Sequence, residues 1–476
     1  MIEKRALSLL GHEPTSDQIE LTTRLGTFIR GTSGADIFIL RGYAGTGKTT
    51  IISSFVKAMS SMKWKFVLLA PTGRAAKVFA AYSESFASTI HRKIYHLRMD
   101  SSGNMQLVMQ KNKHKYTLFI VDESSMIGEE TPGKDSLFGT HNLLDDLVEY
   151  VYSGENCRLV LVGDTAQLPP VGLDISPALD DNYLKNRYFI TTESIVLTQV
   201  LRQAQESGVL FNATMIRSFI ADPNQAGSFC FDLNFPDISH IAGNDLKDIL
   251  EQAYSDYGIE NTLVICRSNK RANLYNQHIR NRILFREEAL SASDLLMVVR
   301  NNYHWLPEGS SAGFIANGDI LEILRVRTTY EMYGFNFASV TVRMVDYPHE
   351  PELDTIILLD TLSVESAALP WERSKLLYEE VAKDYEDITT KTERRKKIKA
   401  DKHLNALQVK FAYAVTCHKA QGGQWPCVFV EQGFLPPEMR GTDFMRWLYT
   451  ATTRSFAKLY LVNFDKEFLP EGTICF

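Results

Sequence analysis

The stretch Gly42-Tyr43-Ala44-Gly45-Thr46-Gly47-Lys48-Thr49 spaces glycines, a lysine and a hydroxyl as phosphate binding requires. Glycines let the backbone wind closely around an anion, so that several N–H groups converge on it. Lys48 suits the β- and γ-phosphates, and the Thr49 hydroxyl suits Mg²⁺. Further on, Asp122-Glu123-Ser124-Ser125 ends an apolar run. Adjacent carboxylates at a strand's end are costly unless they meet a cation. Asp122 can enter the Mg²⁺ shell and Glu123 can polarise an attacking water. Alone, the glycine stretch is also compatible with a turn capping a strand. Paired with the carboxylates, it points to nucleotide hydrolysis rather than binding only.

These groups need a frame. Ile37-Phe38-Ile39-Leu40 predicts a buried strand before the loop, and Ile51, Ile52, Phe55, Val56 and Met59 recur at helical spacing after it. A helix N-terminus there adds a favourable dipole. Phe66 to Ala70, Leu118 to Val121 and Arg158 to Val162 are further continuous apolar runs. Such runs with helices between them predict a parallel sheet covered on both faces. The fourth run exits into Gly163-Asp164-Thr165-Ala166-Gln167-Leu168-Pro169-Pro170, where Gln167 can sense a γ-phosphate or simply sit in a proline-rich exit loop. Upstream, Thr15 or Ser16 caps a helix. Gln18 on its first turn reads as a surface residue or, with a donor and an acceptor, as an adenine contact. Pro71 to Lys77 and Ala87 to Arg92 read alone as a strand-to-helix turn and a capped helix start, at ends where parallel sheets bind ligands.

From Ile94 to Tyr116 the pattern alternates around the turn signal Asp100-Ser101-Ser102-Gly103-Asn104, which predicts a hairpin. Met99 and Met105 are its nearest apolar residues to the tip. A second α/β unit is expected from about Ser194, with strands at Ser194–Leu197, Thr262–Cys266, Val428–Val430 and Leu459–Val462. Inside it the turn Asn317-Gly318-Asp319 and the apolar sets Ile320, Ile323, Val326, then Val340, Val342, Met344, then Ile356 to Leu359 predict a small β-barrel. One polar helix is expected from Trp371 to about Lys402. Its Arg394-Arg395-Lys396-Lys397 reads as a solvated face before a nucleic-acid site. Arg202 and Arg454, both in the second unit, are candidates for stabilising charge on a transferred phosphoryl group.

The 476 residues suit roughly three domains at about 150 each. With 51 Lys+Arg against 57 Asp+Glu, the net charge of −6 excludes a globally basic coat. It leaves room for a local basic channel. The six cysteines, Cys157, Cys230, Cys266, Cys417, Cys427 and Cys475, show no C-x-x-C or zinc spacing and read as reduced thiols. No apolar run suffices to span a bilayer, and Met1 to Arg5 does not begin a signal sequence. A cytoplasmic protein without membrane partners is expected.

In order and rough spacing these stretches resemble the motif set of superfamily 1 helicases, in particular the RecD-like and phage Dda-like group. The likeness runs from Gln18 (Q motif) through Gly42–Thr49 (motif I), Ala70–Lys77 (Ia), Thr89-Ile90-His91, Asp122-Glu123 (II), Gly163–Pro170 (III), Leu201-Arg202-Gln203 (IV) and Thr416–Gly423 (V) to Tyr449–Arg454 (VI). It is weak across the hairpin and residues 300–405.

The resemblance implies an α/β protein with two RecA-like P-loop domains, a small hairpin insertion and an inserted SH3-like β-barrel. The first domain would span 1–190, the second 191–290 and 406–476, and the barrel with a helical arm 291–405. It implies ATP and Mg²⁺ as cofactors. Lys48, Glu123, Gln167, Arg202 and Arg454 would be catalytic, and Thr49 and Asp122 would hold the metal. Gln18, Gly42, Ala44, Gly45, Thr46, Gly47, Lys48, Thr49, Thr50, Gln421 and Gly422 would bind nucleotide. Pro71, Thr72, Thr89, His91, Thr416 and His418 would line the DNA channel. The implied activity is 5′ to 3′ translocation on single-stranded DNA with unwinding at junctions with duplex, by a monomer, in repair or recombination. A DNA-stimulated ATPase or switch subunit of a nuclease or repair complex is the alternative.

Overall fold

The computed structural model describes residues 2–99, 105–129, 142–201, 206–222, 229–307, 310 and 312–470. The chain forms two compact units. The first comprises Met1–Ile94, Met109–Gly243 and Ala420–Phe476, and the second Tyr95–Val108 and Asn244–Lys419.

In the first unit six parallel strands run in the order Ala87–Thr89, Lys65–Ala70, Thr117–Val121, Arg158–Gly163, Ile37–Gly42, Thr192–Leu197. The four central strands coincide with the predicted apolar runs, because strands covered on both faces show no alternation and bury most of their side chains, Lys65 at the start of its strand being exposed. Ile37 to Leu40 are fully buried, as are Leu159 to Leu161. The helix Lys48–Ser61 turns Ile51, Ile52, Phe55, Val56, Ala58 and Met59 into the core beneath it. The phosphate loop, Pro71-Thr72, Asp122-Glu123 and the loop after Gly163 lie at the C-terminal ends of these strands.

The strand Thr192–Leu197 corrects one expectation. It does not open a second α/β unit but pairs along its length with Ile37–Gly42, from Ile37 opposite Thr192 to Gly42 opposite Leu197. An apolar run states that a strand is buried, not which sheet it joins. The first unit also holds a second parallel ladder, Trp425–Glu431 beside Ser455–Val462 beside Ile238–Ile241. Helix Thr442–Thr452 packs with helix Gly208–Ala221.

In the second unit Thr262–Cys266 pairs in parallel with Ala414–Thr416. The predicted barrel is present and closed. Leu295–Val298, Ile320–Met332, Phe335–Met344 and Leu353–Leu358 form an antiparallel run. Leu407–Phe411 then pairs parallel to Leu353–Leu358 and antiparallel to Leu295–Val298. Register shifts at Ile323/Arg325 and Val326/Thr328 bend the longest strand, as closing a small barrel requires. The closing strand lies past residue 405, the expected end of the insertion. Phe335, Phe337, Ile356 and Leu358 pack with Leu377 and Val381 of an overlying helix.

That helix ends early. The expected single helix is two, Trp371–Lys383 and Lys391–Ala400. Between them lie Asp384, Asp387 and the β-branched run Ile388-Thr389-Thr390, poor helix formers that compete with the backbone or lose rotamer freedom. The hairpin is also present, as Tyr95–Met99 with Met105–Met109. Its turn, 100–104, lies outside the described residues. Among the described residues no helix is long and apolar enough to cross a membrane, and Cys157, Cys230, Cys266, Cys417 and Cys427 form no disulfide with one another. Cys475 lies outside the described residues.

Candidate nucleotide and nucleic-acid site

The loop after Ile37–Gly42 turns through Gly45 and Gly47 at φ +76° and +77°. That left-handed backbone favours glycine. At Gly47 space forbids a side chain as well: a Cβ there would stand 2.7 Å from Gln18 Nε2 and 3.0 Å from Leu201 Cδ1. Helix Lys48–Ser61 starts at the next residue with no side-chain cap, so its first N–H groups are left for another acceptor. Lys48 Nζ donates to Tyr43 O at 3.0 Å and stands 3.7 Å from Asp164 Oδ2. Ala44, Thr46, Thr49 and Thr50 lie on the same loop and first helical turn.

Gln18 is not the surface residue that its helical position suggests. It is fully buried. Its Oε1 accepts from Thr15 N–H, closing a reciprocal capping box, and its Nε2 donates to Thr46 O at 3.3 Å. The amide thus joins the start of helix Ser16–Arg30 to the phosphate loop.

Asp122 and Glu123 follow strand Thr117–Val121 as expected. Asp122 Oδ1 accepts from Glu123 N–H at 2.9 Å. Burial holds the Asp122 carboxyl well above the usual carboxylate range, and the neighbouring Glu123 adds to the rise, against the pull of that N–H and of Lys48. A carboxylate so placed gains from a cation, which would invert this balance. Glu123 itself sits at φ +52°, a conformation costly for a side-chain-bearing residue and concentrated at functional sites. On the neighbouring exit loop the Gln167 amide oxygen is buried without a partner, an acceptor waiting for a donor. The hydroxyl of Thr49, this strained acidic pair, the lone Lys48 and the orphaned Gln167 oxygen fit a nucleoside triphosphate with Mg²⁺.

One residue of the Tyr449–Arg454 stretch, given no role of its own in the sequence, ties the site together. Tyr449, on helix Thr442–Thr452, is almost wholly buried. Its hydroxyl donates to Asp164 Oδ2 and accepts from Ala44 N–H, both at 2.7 Å. Burial and Asp164 raise the phenol well above its ordinary value, so it stays a donor. The same helix also holds the exit loop. Thr450 Oγ1 accepts from Leu168 N–H at 2.8 Å, and Arg446 donates to Thr165 O at 2.6 Å. Gln421 Nε2 donates to Leu168 O at 2.7 Å. Gly422, at φ +73°, lets its loop approach Thr72 and Ala75; a Cβ would stand 2.9 Å from Ala75 Cβ. Next to it the Arg74 guanidinium lies 4.0 Å over the Trp425 ring.

Residues 28–215 match the family described as an AAA domain, and residues 411–462 the UvrD-like helicase C-terminal domain. An ATP-dependent RecD2 DNA helicase of Deinococcus radiodurans is 31% identical over 37% of this chain and 21% of its own length. These matches make the chain similar to superfamily 1 helicases of the RecD-like kind. An uncharacterized protein of Methanocaldococcus jannaschii is 25% identical over 89% of this chain. The chain spans 36% of that protein's length. Among solved structures, a Pif1 helicase from Bacteroides in complex with ADP-AlF3 and ssDNA aligns over 97% of this chain and 95% of its own, at 15% identity and a TM-score of 0.47.

The remaining candidates fall into three groups. Arg202 lies outside the described residues. Arg454 is buried, and its guanidinium donates to Thr450 O, Gly423 O and Thr453 Oγ1. It braces its own helix end against the Gln421–Gly423 loop. Pro71, Thr72, Thr89 and His91 gather at the C-terminal ends of two adjacent strands, where Ala70 pairs with Thr89. Thr72 Oγ1 caps helix Gly73–Ser83 and Thr89 Oγ1 accepts from Arg92 N–H. Burial pushes the His91 imidazole down to about 4, against the pull of Asp146, so it is neutral at physiological pH. Thr416 and His418 stand in the second unit, at the end of strand Ala414–Thr416 and in the short helix after it.

Proposed function

We propose that this chain is an ATP-driven motor that moves 5′ to 3′ along single-stranded DNA and separates duplex at junctions. The observation that carries the reading is the Tyr449 hydroxyl shared between Ala44 of the phosphate loop and Asp164 of the exit loop. A group that binds phosphate is thereby wired to the loops of Thr165–Leu168 and Gln421–Gly423, and the latter packs on Thr72 and Ala75. Loss of a γ-phosphate would be felt at the strand ends assigned to DNA. A nucleotide-driven shift between two grips on the strand then gives directed movement.

In this reading Lys48 and the loop N–H groups hold the phosphates, and Thr49 and Asp122 hold Mg²⁺. The metal supplies charge neutralisation and orients the phosphates. Glu123 takes the proton of the attacking water and Gln167 orients it. Arg454, released from Gly423 O, and Arg202 stabilise the transferred charge. Gln18 contacts adenine only by giving up a local bond, so its first task is to brace Thr46. Thr50, Gln421 and Gly422 complete the nucleotide cradle. Pro71, Thr72, Thr89, His91, Thr416 and His418 carry the strand. We assign the first ATPase domain to the chain up to Leu197, the second to the following residues to 290 and to 412–476, and the barrel with its arm to 291–411, which takes in the closing strand. The DNA partner follows the relative named a DNA helicase.

Partial duplexes with a 5′ or a 3′ single-stranded tail, given ATP and Mg²⁺, test this directly. Unwinding from the 5′ tail alone is expected. Unwinding from the 3′ tail alone refutes the direction. DNA-stimulated hydrolysis with no unwinding favours a switch or translocase subunit. Glu123→Gln should abolish hydrolysis while keeping nucleotide binding; full turnover in that variant would remove Glu123 from the base role.

A further inference from the structure

Arg217 lies on helix Gly208–Ala221, outside every stretch assigned above. Its guanidinium carbon stands 4.3 Å over the ring of Tyr43, the second residue of the phosphate loop. Its Nη1 is buried with no hydrogen-bond partner. Its charge is felt by the Tyr449 hydroxyl, which it makes easier to ionise against the larger opposing effects of burial and Asp164. A buried guanidinium N–H without an acceptor is expensive and calls for an explanation. The ring stack explains where the plane lies but satisfies none of its in-plane donors.

We infer that Arg217 contacts the terminal phosphate of the bound nucleoside triphosphate. This rests on the nucleotide site proposed above. The guanidinium stacks on the residue whose carbonyl accepts from Lys48, and it lies near the hydroxyl that bridges Ala44 and Asp164. Tyr43 thus links Arg217 to Lys48, the residue of the loop suited to the β- and γ-phosphates. Gln18, the candidate for the base, holds the loop at Thr46. An arginine presents two parallel N–H groups to phosphate oxygens, which suits this position better than a point charge. The contact with the Tyr43 ring holds the guanidinium at the loop before the nucleotide arrives.

Binding of ADP and of a non-hydrolysable ATP analogue to the whole chain, with Mg²⁺, tests the assignment. Arg217→Gln should weaken the triphosphate analogue about 10- to 100-fold and leave ADP within about threefold. Arg217→Lys keeps the charge and the stem, and it should lose part of the same preference. If Arg217→Gln does not fold, the lysine variant decides alone, and an unchanged triphosphate preference in it overturns the inference. Equal weakening of both nucleotides, or of neither, assigns Arg217 to packing on Tyr43 and overturns it too. Wild-type protein that binds neither nucleotide refutes the site itself, a result distinct from a variant that merely fails to lose discrimination.

Discussion

Asp164 in the first unit and Asp294 in the second are both buried carboxylates that accept from a tyrosine hydroxyl. Asp294 is saturated. Arg280 reaches it at 3.1 and 3.0 Å, Arg286 at 2.7 Å, Tyr413 at 2.8 Å and Ser291 N–H at 2.7 Å. The cluster fixes the turn after helix Asn269–His278 to the first barrel strand. Asp164 is held more loosely. Tyr449 and Ala166 N–H bond it, at 2.7 and 2.9 Å, but Lys48 stands 3.7 Å away and shares its ammonium with Tyr43 O. A closed network has one arrangement and serves as a brace. A network whose cation can leave for a better anion has two arrangements, which is what a ligand-driven switch needs.

The sharpest break of this contrast is at the movable cation. Lys48→Ala should lower ATP hydrolysis, followed by phosphate release, by on the order of 100-fold or more, as losing a donor to developing charge does elsewhere. Its effect on the thermal midpoint should be small, because Asp164 keeps Tyr449 and Ala166. Near-normal turnover would show that the loop does not work through this lysine.

The brace should respond the other way. Asp294→Ala leaves Arg280 and Arg286 buried without their carboxylate, a loss of about 3–5 kcal/mol. Urea unfolding should show it, while hydrolysis measured well below the new midpoint is kept. Asp164→Asn should cost far less stability and more activity. Similar unfolding losses in both variants would erase the distinction.

The difference between the two regions also marks what could be read in the chain. Strands such as Ile37–Gly42 and Thr117–Val121 announce themselves because full burial demands an unbroken apolar run. The glycines of the phosphate loop are legible because backbone wrapping has few sequence solutions. The barrel is legible from alternation, but three helices separate its closing strand, Leu407–Phe411, from the preceding barrel strand. Arg217 carries no local signal, and the Tyr449–Arg454 stretch assigns no role to the Tyr449 hydroxyl. Their meaning comes from Ala44, Asp164 and Tyr43, residues far away in sequence that only the tertiary fold brings near. Gln18 shows the same limit in reverse: its helical position suggests a surface residue, whereas it is buried and its amide closes the capping box and reaches Thr46.

A third buried carboxylate, in the barrel, tests how far satisfaction governs behaviour. Asp319 accepts from Ala316 N–H at 2.7 Å through one oxygen, while the other has no partner. Burial raises its carboxyl to about 7; Asp346 adds to the rise and the Ala316 bond opposes it. The folded chain therefore keeps a proton that the unfolded chain releases near 4. This group's contribution falls as pH rises from about 4 to about 7 and is constant above that. Asp319→Asn, neutral throughout, should match wild type near pH 4 and exceed it by on the order of 1–3 kcal/mol above pH 7. Parallel stability curves across that window would refute the shift.

The smallest expected effect is the most informative about the switch. Tyr449→Phe keeps the buried ring but removes the hydroxyl between Ala44 N–H and Asp164. Without nucleotide the variant should lose about 1 kcal/mol in chemical denaturation, the net worth of such a bond. With nucleotide the sign should reverse. A phosphate oxygen that takes the Ala44 N–H must displace Tyr449 in wild type and need displace nothing in the variant. ADP binding by calorimetry should therefore tighten by about fivefold, the equivalent of that same kcal/mol. Weaker ADP binding in the variant would make the hydroxyl a ligand contact rather than a latch. The two outcomes differ in sign, so even a modest change separates a carboxylate that holds its partners from one that releases them.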